Sequence, residues 1–132
     1  MTEIIICLTE KNQCLEEFAN LNQTELASYS KGNFETLEEF YLQREKLLVK
    51  IHAIDEKIER IQTSQPKLVA TAHERSRIQD LLNEKDILVT EILSQDLEIL
   101  SFIDREKSAL IQKLRGTQQS RKALKAYKSP NV

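Results

Sequence analysis

Helix-breaking residues are nearly missing from this chain. Of 132 residues only Gly32 and Gly116 are glycine, and only Pro66 and Pro130 are proline. Glycine and proline are the residues that stop helices, so residues 1 to 31, 33 to 65, 67 to 115 and 117 to 129 read as uninterrupted segments. Tryptophan is absent and aromatic residues make up 5% of the chain, against 30% charged residues. That balance suits a helical bundle or coiled coil rather than a sheet protein. Two isolated glycines cannot build a phosphate-cradling loop. The two histidines, His52 and His73, fall on different segments with no motif beside either, and His52 is read as a helix-surface residue.

Long apolar runs are also missing. No stretch approaches the roughly 20 apolar residues of a membrane span. Ile4, Ile5, Ile6 and Leu8 are too few for a signal sequence and lack a basic flank and a cleavage site. The expectation is a cytosolic chain with no membrane insertion. Cys7 and Cys14 are seven residues apart, about 10 Å along a helix, which is too far for a disulfide. They read as small core residues in a reducing compartment, without the partners a metal site needs.

What is present is periodicity. In the first segment Ile4, Leu8, Leu15, Phe18 and Tyr29 lie on a 4,3 repeat that also contains Lys11, Asn22 and Glu25, with Leu21 and Leu26 beside it. Gly32 is placed to end that helix, and Asn33 to cap the next, with Glu35 in its first turn. A turn this short implies an antiparallel pair. The second segment steps through Leu37, Phe40, Arg44, Leu47, Ile51, Ile54, Ile58 and Ile61 as a sustained heptad seam. Only Arg44 breaks its apolar character, so that guanidinium must pair with an acid, reach water or meet a partner.

After Thr63 to Pro66 the third segment is expected to start near Lys67. Its stripe runs Ile78, Leu81, Leu88, Ile92, Ile99 and Phe102, widened by Leu82, Val89, Leu93, Leu100, Ile103, Leu110 and Leu114. Lys85, Gln95, Asp96 and Glu106 interrupt it, either fixing register or facing outward. The fold expected is therefore all-α: an elongated antiparallel bundle or coiled coil of three long helices over residues 1 to 115. A short basic helix and tail follow over 116 to 132.

Charge is polarised along the chain although its net value is only −2. Residues 1 to 40 carry eight glutamates against Lys11 and Lys31, whereas residues 108 to 132 carry six lysines or arginines and no acid. A basic tail is compatible with nucleic acid, but Tyr127 is its one base-stacking aromatic, which argues against that use. An isolated helix of this length is ordered only by docking, either on the acidic front half or on a partner.

One enzymatic reading remains, an all-helical chorismate mutase-like site with cations drawn from Arg44, Lys57, Arg60, Arg75 and Arg105. Such residues occur on any charged helix, so the chain is read as no enzyme and as needing no cofactor.

Leu15 to Ile51, with Glu25 before the Gly32-Asn33 turn and then Phe34, Leu37, Phe40, Arg44, Glu45, Leu47 and Leu48, resembles the flagellar export chaperones of the FliT and FlgN type. The Arg-Lys-Ala-Leu-Lys-Ala-Tyr segment ending at Tyr127 resembles their C-terminal segments. The resemblance implies a bacterial cytosolic chaperone that binds the C-terminal helical region of a late flagellar subunit, either the filament cap or a hook-filament junction protein. It would prevent premature assembly and deliver the subunit to the export gate. A client helix needs an apolar groove. The groove candidates are Leu47, Ile51, Ile54, Ile58, Ile61, Ile92, Ile99, Ile103 and Leu110, most of which the protein's own core must also claim. By position in the resemblance, Leu124 and Tyr127 would cover the client surface or contact the gate. A self-associating coiled-coil structural or adaptor protein, including a homodimer, would use the same seams.

Overall fold

The computed structural model describes residues 1 to 67 and 69 to 125, with side chains described as far as Gly116. Three helices account for nearly all of it: α1 (Thr2–Ser30), α2 (Leu37–Ser64) and α3 (Ala72–Lys125). Among the described residues there is no strand. The chain divides into two compact units, Met1–Ile99 and Leu100–Val132.

The first unit is a three-helix bundle whose directions follow from its cross-links. Lys11 of α1 pairs with Asp55 of α2 at 2.8 Å, and Glu25, further along α1, meets Thr36 just before α2. The two helices therefore run antiparallel. Along α3 the order is reversed: Asn12 reaches Leu81, Ala19 meets Gln95, and Asn22 meets Asp96. Helix α3 thus runs parallel to α1 and antiparallel to α2.

Gly32 closes α1 as its position predicts. Its φ of 78° lies in the left-handed region that glycine adopts without steric cost. Gly32 N–H donates to the Tyr29 carbonyl at 2.9 Å and Asn33 N–H to the Ser28 carbonyl at 3.0 Å, the paired bonds of a Schellman ending. Asn33, however, does not cap α2. Its side-chain oxygen accepts the Glu35 N–H at 3.0 Å in a local turn, and α2 begins only at Leu37. Short polar side chains bond their own following backbone as readily as a helix end, and here the local turn wins.

The third helix starts later than expected, at Ala72. The reason is a reciprocal cap: Thr71 Oγ1 accepts the Glu74 N–H at 3.1 Å, and Glu74 Oε1 accepts the Thr71 N–H at 3.0 Å. These bonds favour the ionised carboxyl and hold the Glu74 pKa below its usual range. Gly116, expected to separate a short C-terminal helix, lies inside α3. A glycine interior to a helix costs about 1 kcal/mol relative to alanine, which Lys113, Leu114, Arg115, Gln118 and Gln119 offset as good helix formers.

All five apolar seam residues of α1 are buried. Leu15, Phe18 and Ala19 form one core cluster with Leu47 and Ile92; Ile4 and Leu8 form a second with Leu81. The second cluster is walled by half-buried Ile58, Ile61, Ile78 and Leu82. Cys7 is buried, Cys14 is half-buried, and both are free thiols. Burial is the main cause that raises the Cys14 pKa, with Glu17 adding to it.

Candidate functional site

Polar groups inside the bundle sit where the heptad pattern is broken. Arg44, the one charged residue of the α2 seam, reaches α3 and places Nη1 2.8 Å and Nη2 3.4 Å from the two carboxylate oxygens of Asp96. Its guanidinium lies 4.8 Å from the Phe18 ring centroid and 5.3 Å from that of Phe40, a favourable cation–ring arrangement. Fully buried Asn22 donates to Asp96 Oδ1 at 3.1 Å. One carboxylate thereby ties all three helices together.

Two further bonds fix α1 against α3. Buried Asn12 donates to the Leu81 carbonyl at 3.0 Å, and buried Gln95 donates to the Ala19 carbonyl at 3.1 Å. Sliding either helix by one turn would strand these amides without partners, at about 1–3 kcal/mol each. Gln95 and Asp96 are therefore register-setting residues, the first of the two readings their positions allowed. Asn12 was not visible as a core residue beside Lys11. The helix rotates so that Asn12 faces inward while Lys11 spans the boundary to Asp55.

At the α1–α2 turn, buried Glu25 accepts a hydrogen bond from Thr36 Oγ1 at 2.6 Å. Tyr29 stacks on Phe34 with ring centroids 4.6 Å apart. Burial, reinforced by a hydrogen bond with Glu25, pushes the Tyr29 phenol far above its ordinary range, so it stays neutral.

Asp96→Ala is expected to destabilise the bundle by about 2 kcal/mol, because Arg44 and Asn22 lose one shared acceptor while remaining partly desolvated. Both ion-pair side chains keep about a quarter or less of their exposure, so the cost stays below that of a dry pair. Urea unfolding of wild type, Asp96→Ala, Arg44→Ala and the double variant would give the coupling. A value near zero would show that the pair adds nothing.

The groove candidates divide sharply. Leu47, Ile92 and Ile99 are buried in the bundle itself; Ile51, Ile54, Ile58, Ile61 and Ile103 are half-buried; Leu110 is exposed. Leu93 and Leu100, expected to widen the core stripe, face solvent. The side chain of Leu124, and Tyr127 altogether, lie outside the described residues. Among the five cations considered for a helical enzyme site, Arg44 is committed to Asp96. Lys57 and Arg60 line an open groove with Glu56 and Glu59, and Arg105 stacks on Phe102 at 4.6 Å.

A different concavity is both apolar and open. Leu21 of α1 and Leu42, Leu47 and Val49 of α2 line a groove of about 650 Å³, rimmed by Glu17, Glu45, Lys46 and Lys50. Leu42 and Val49 are 57% and 61% exposed, and they share a face because they are seven residues apart. Neither belongs to the α2 core seam, which is why reading that seam alone did not find them. An apolar floor with charges of both signs at its edge can receive the apolar face of another helix.

Among the described residues no helix is long and apolar enough to cross a membrane, and no three or more histidine, cysteine or acidic side chains group as metal ligands. No protein-family model, curated protein or solved structure matches the chain.

Proposed function

We propose that this protein is a helix-binding chaperone that acts without a cofactor, holding an amphipathic client helix in the groove between α1 and α2. The observation that carries the reading is the apolar floor of Leu21, Leu42 and Val49 beside a bundle core that is already complete. Burying an aliphatic side chain gains about 1.5–3 kcal/mol, so Leu42 and Val49 supply a worthwhile contact that the free chain leaves in water. The polar cross-links at Asn12, Asn22, Gln95 and Asp96 hold the three helices in register, which keeps the groove formed before a client arrives. Preorganisation lowers the ordering cost of binding.

The resemblance of Leu15 to Ile51 to the FliT and FlgN type supplies the client class: the C-terminal helical region of a late flagellar subunit, a filament cap or hook-filament junction protein, in the bacterial cytosol. In that setting the bundle is an elongated antiparallel one. By the same resemblance Leu124 and Tyr127 would supply the contact to the export gate.

The test is fluorescence anisotropy with labelled C-terminal peptides of the late flagellar subunits from the source bacterium. Wild type is expected to bind one of them, and Val49→Asp to lose at least about tenfold in affinity while melting normally, because a carboxylate would be desolvated against the client helix. Binding that survives Val49→Asp would place the client elsewhere. Absence of binding by wild type to every such peptide would remove the flagellar reading.

A further inference from the structure

The Arg44–Asp96 ion pair stands at the edge where α2 meets α3, with 21% and 27% of its two side chains still exposed. Large apolar side chains surround it. Tyr41 and Leu48 lie three residues before and four after Arg44, so both turn about 40–60° to the same side of it. Leu47, which shares a core cluster with Leu15 and Phe18 of α1, turns to the other side. On α3, Leu93 turns about 60° to one side of Asp96, and Gln95, which meets Ala19 of α1, turns to the other. Tyr41, Leu48 and Leu93 thus share the α2–α3 edge that faces away from α1, and they are 49%, 46% and 60% exposed. All three belong to the unit Met1–Ile99, and none of them lines the α1–α2 groove.

The charge around this patch has one sign. The stripe that holds Tyr41 and Leu48 runs on a 4,3 repeat from Glu38 through Glu45 to Glu59 and contains no lysine or arginine. Glu38, Glu45 and Glu59 are exposed, and among the described residues none of them is in an ion pair. His52 of that stripe meets Glu56 at 3.1 Å, and Lys85, the one base of α3 between Ile78 and Ile99, is held by Asp86 at 2.8 Å.

We infer that this edge docks a cationic amphipathic helix of a partner protein, with the helix's apolar stripe on Tyr41, Leu48 and Leu93 and its flanking lysines or arginines on Glu38 and Glu45. An apolar centre within a charged rim is the usual anatomy of a transient interface. Covering the ion pair strands no charge, because Asp96 already accepts bonds from Arg44 and Asn22. The rim also rejects the other occupants. A second copy docked by a two-fold axis on the same edge would set glutamates against glutamates, and nucleic acid or an anionic membrane would be repelled outright. The edge is separate from the α1–α2 groove, so the inference holds whatever that groove binds.

The test is fluorescence anisotropy of the full chain with two labelled peptides of about 18 residues that share a leucine stripe at i, i+3, i+4 and i+7 spacing, one flanked by lysines and the other by glutamates. In about 50 mM salt the lysine-flanked peptide is expected to bind with a Kd below about 100 µM, and the glutamate-flanked one at least about tenfold more weakly. Raising the salt to about 500 mM should narrow that difference, because it screens the rim. Leu93→Ser and Glu38→Lys, neither of which touches the α1–α2 groove, should each weaken the lysine-flanked peptide at least about fivefold with unchanged helical circular dichroism. Absence of binding by wild type, equal binding of both peptides, or full affinity in both folded variants would overturn the inference. So would a wild-type dimer in sedimentation equilibrium, or binding to vesicles of anionic phospholipid, that Leu93→Ser abolishes, since either would give the edge to a different occupant.

Discussion

Phe40→Ala is expected to destabilise the bundle by about 3–5 kcal/mol, measured by urea unfolding at 25 °C. Phe40 is 1% exposed and stands in the first turn of α2, where the chain has just reversed through the Gly32 turn. The loss has two parts. The larger is the transfer of a full aromatic ring plus the cavity left behind. The smaller is the Arg44 guanidinium, which loses one of its two aromatic walls, about 0.5–1 kcal/mol at a partly exposed site. Because Phe18 remains as the other wall, Arg44 should stay on Asp96. A cycle pairing Phe40→Leu with Arg44→Met should therefore give a coupling below about 1 kcal/mol. Since small domains are stable by about 5–15 kcal/mol in total, the alanine variant should melt far below wild type. A loss under about 1.5 kcal/mol would mean that the turn repacks and that Phe40 does not anchor α2.

The anchor itself was legible in the sequence, because Phe40 and Leu47 bracket Arg44 on a seven-residue repeat, and that repeat fixes which face of α2 is buried. The five apolar residues of the α1 seam were legible for the same reason. Helix ends were less so. Gly32 could be read because its turn needs a left-handed backbone, yet Gly116 looked the same in the sequence and carries no such requirement. The Thr71-Ala72-His73-Glu74 cap was present as a local pattern, and it outweighs Pro66 in deciding where α3 begins.

Surface function was the least legible part. A buried seam and an exposed apolar stripe can share one periodicity, so the sequence places Leu93 and Leu100 beside the core stripe although both face solvent. Only three-dimensional register separates the two. Gln95 donates to the Ala19 carbonyl and Asp96 engages Arg44, which turns one face of α3 inward and leaves Leu93 and Leu97 outside. In physical terms the polar residues of the chain decide which of its apolar residues remain free. The same logic holds on α2, where Arg44 and Leu47 face the core and Leu42 and Val49 are left on the groove.

Leu81→Ala is expected to cost about 3 kcal/mol, the lower end of the range for leucine truncation in a close-packed core. Leu81 is 1% exposed, meeting Ile4 and Leu8 of α1, and among the described residues it is the α3 residue fully buried in that cluster. Its surrounding shell can adjust: Ile58, Ile61, Ile78 and Leu82 are half-buried and can move inward to fill part of the void. The Asn12 bond survives, since it ends on the Leu81 backbone carbonyl rather than on the side chain. The helices should therefore keep their register while their packing loosens at this end of the bundle. Native-state hydrogen exchange distinguishes the two effects. Amides of Ile4 to Leu8 and Ile78 to Leu82 should lose protection by more than those of Leu15 to Ala19, which belong to the cluster with Leu47 and Ile92. Leu81→Met, which conserves volume, should cost under about 1.5 kcal/mol and restore most of that protection. An equal loss of protection in both clusters would show that the bundle opens as one unit, and that the polar cross-links do not insulate one end from the other.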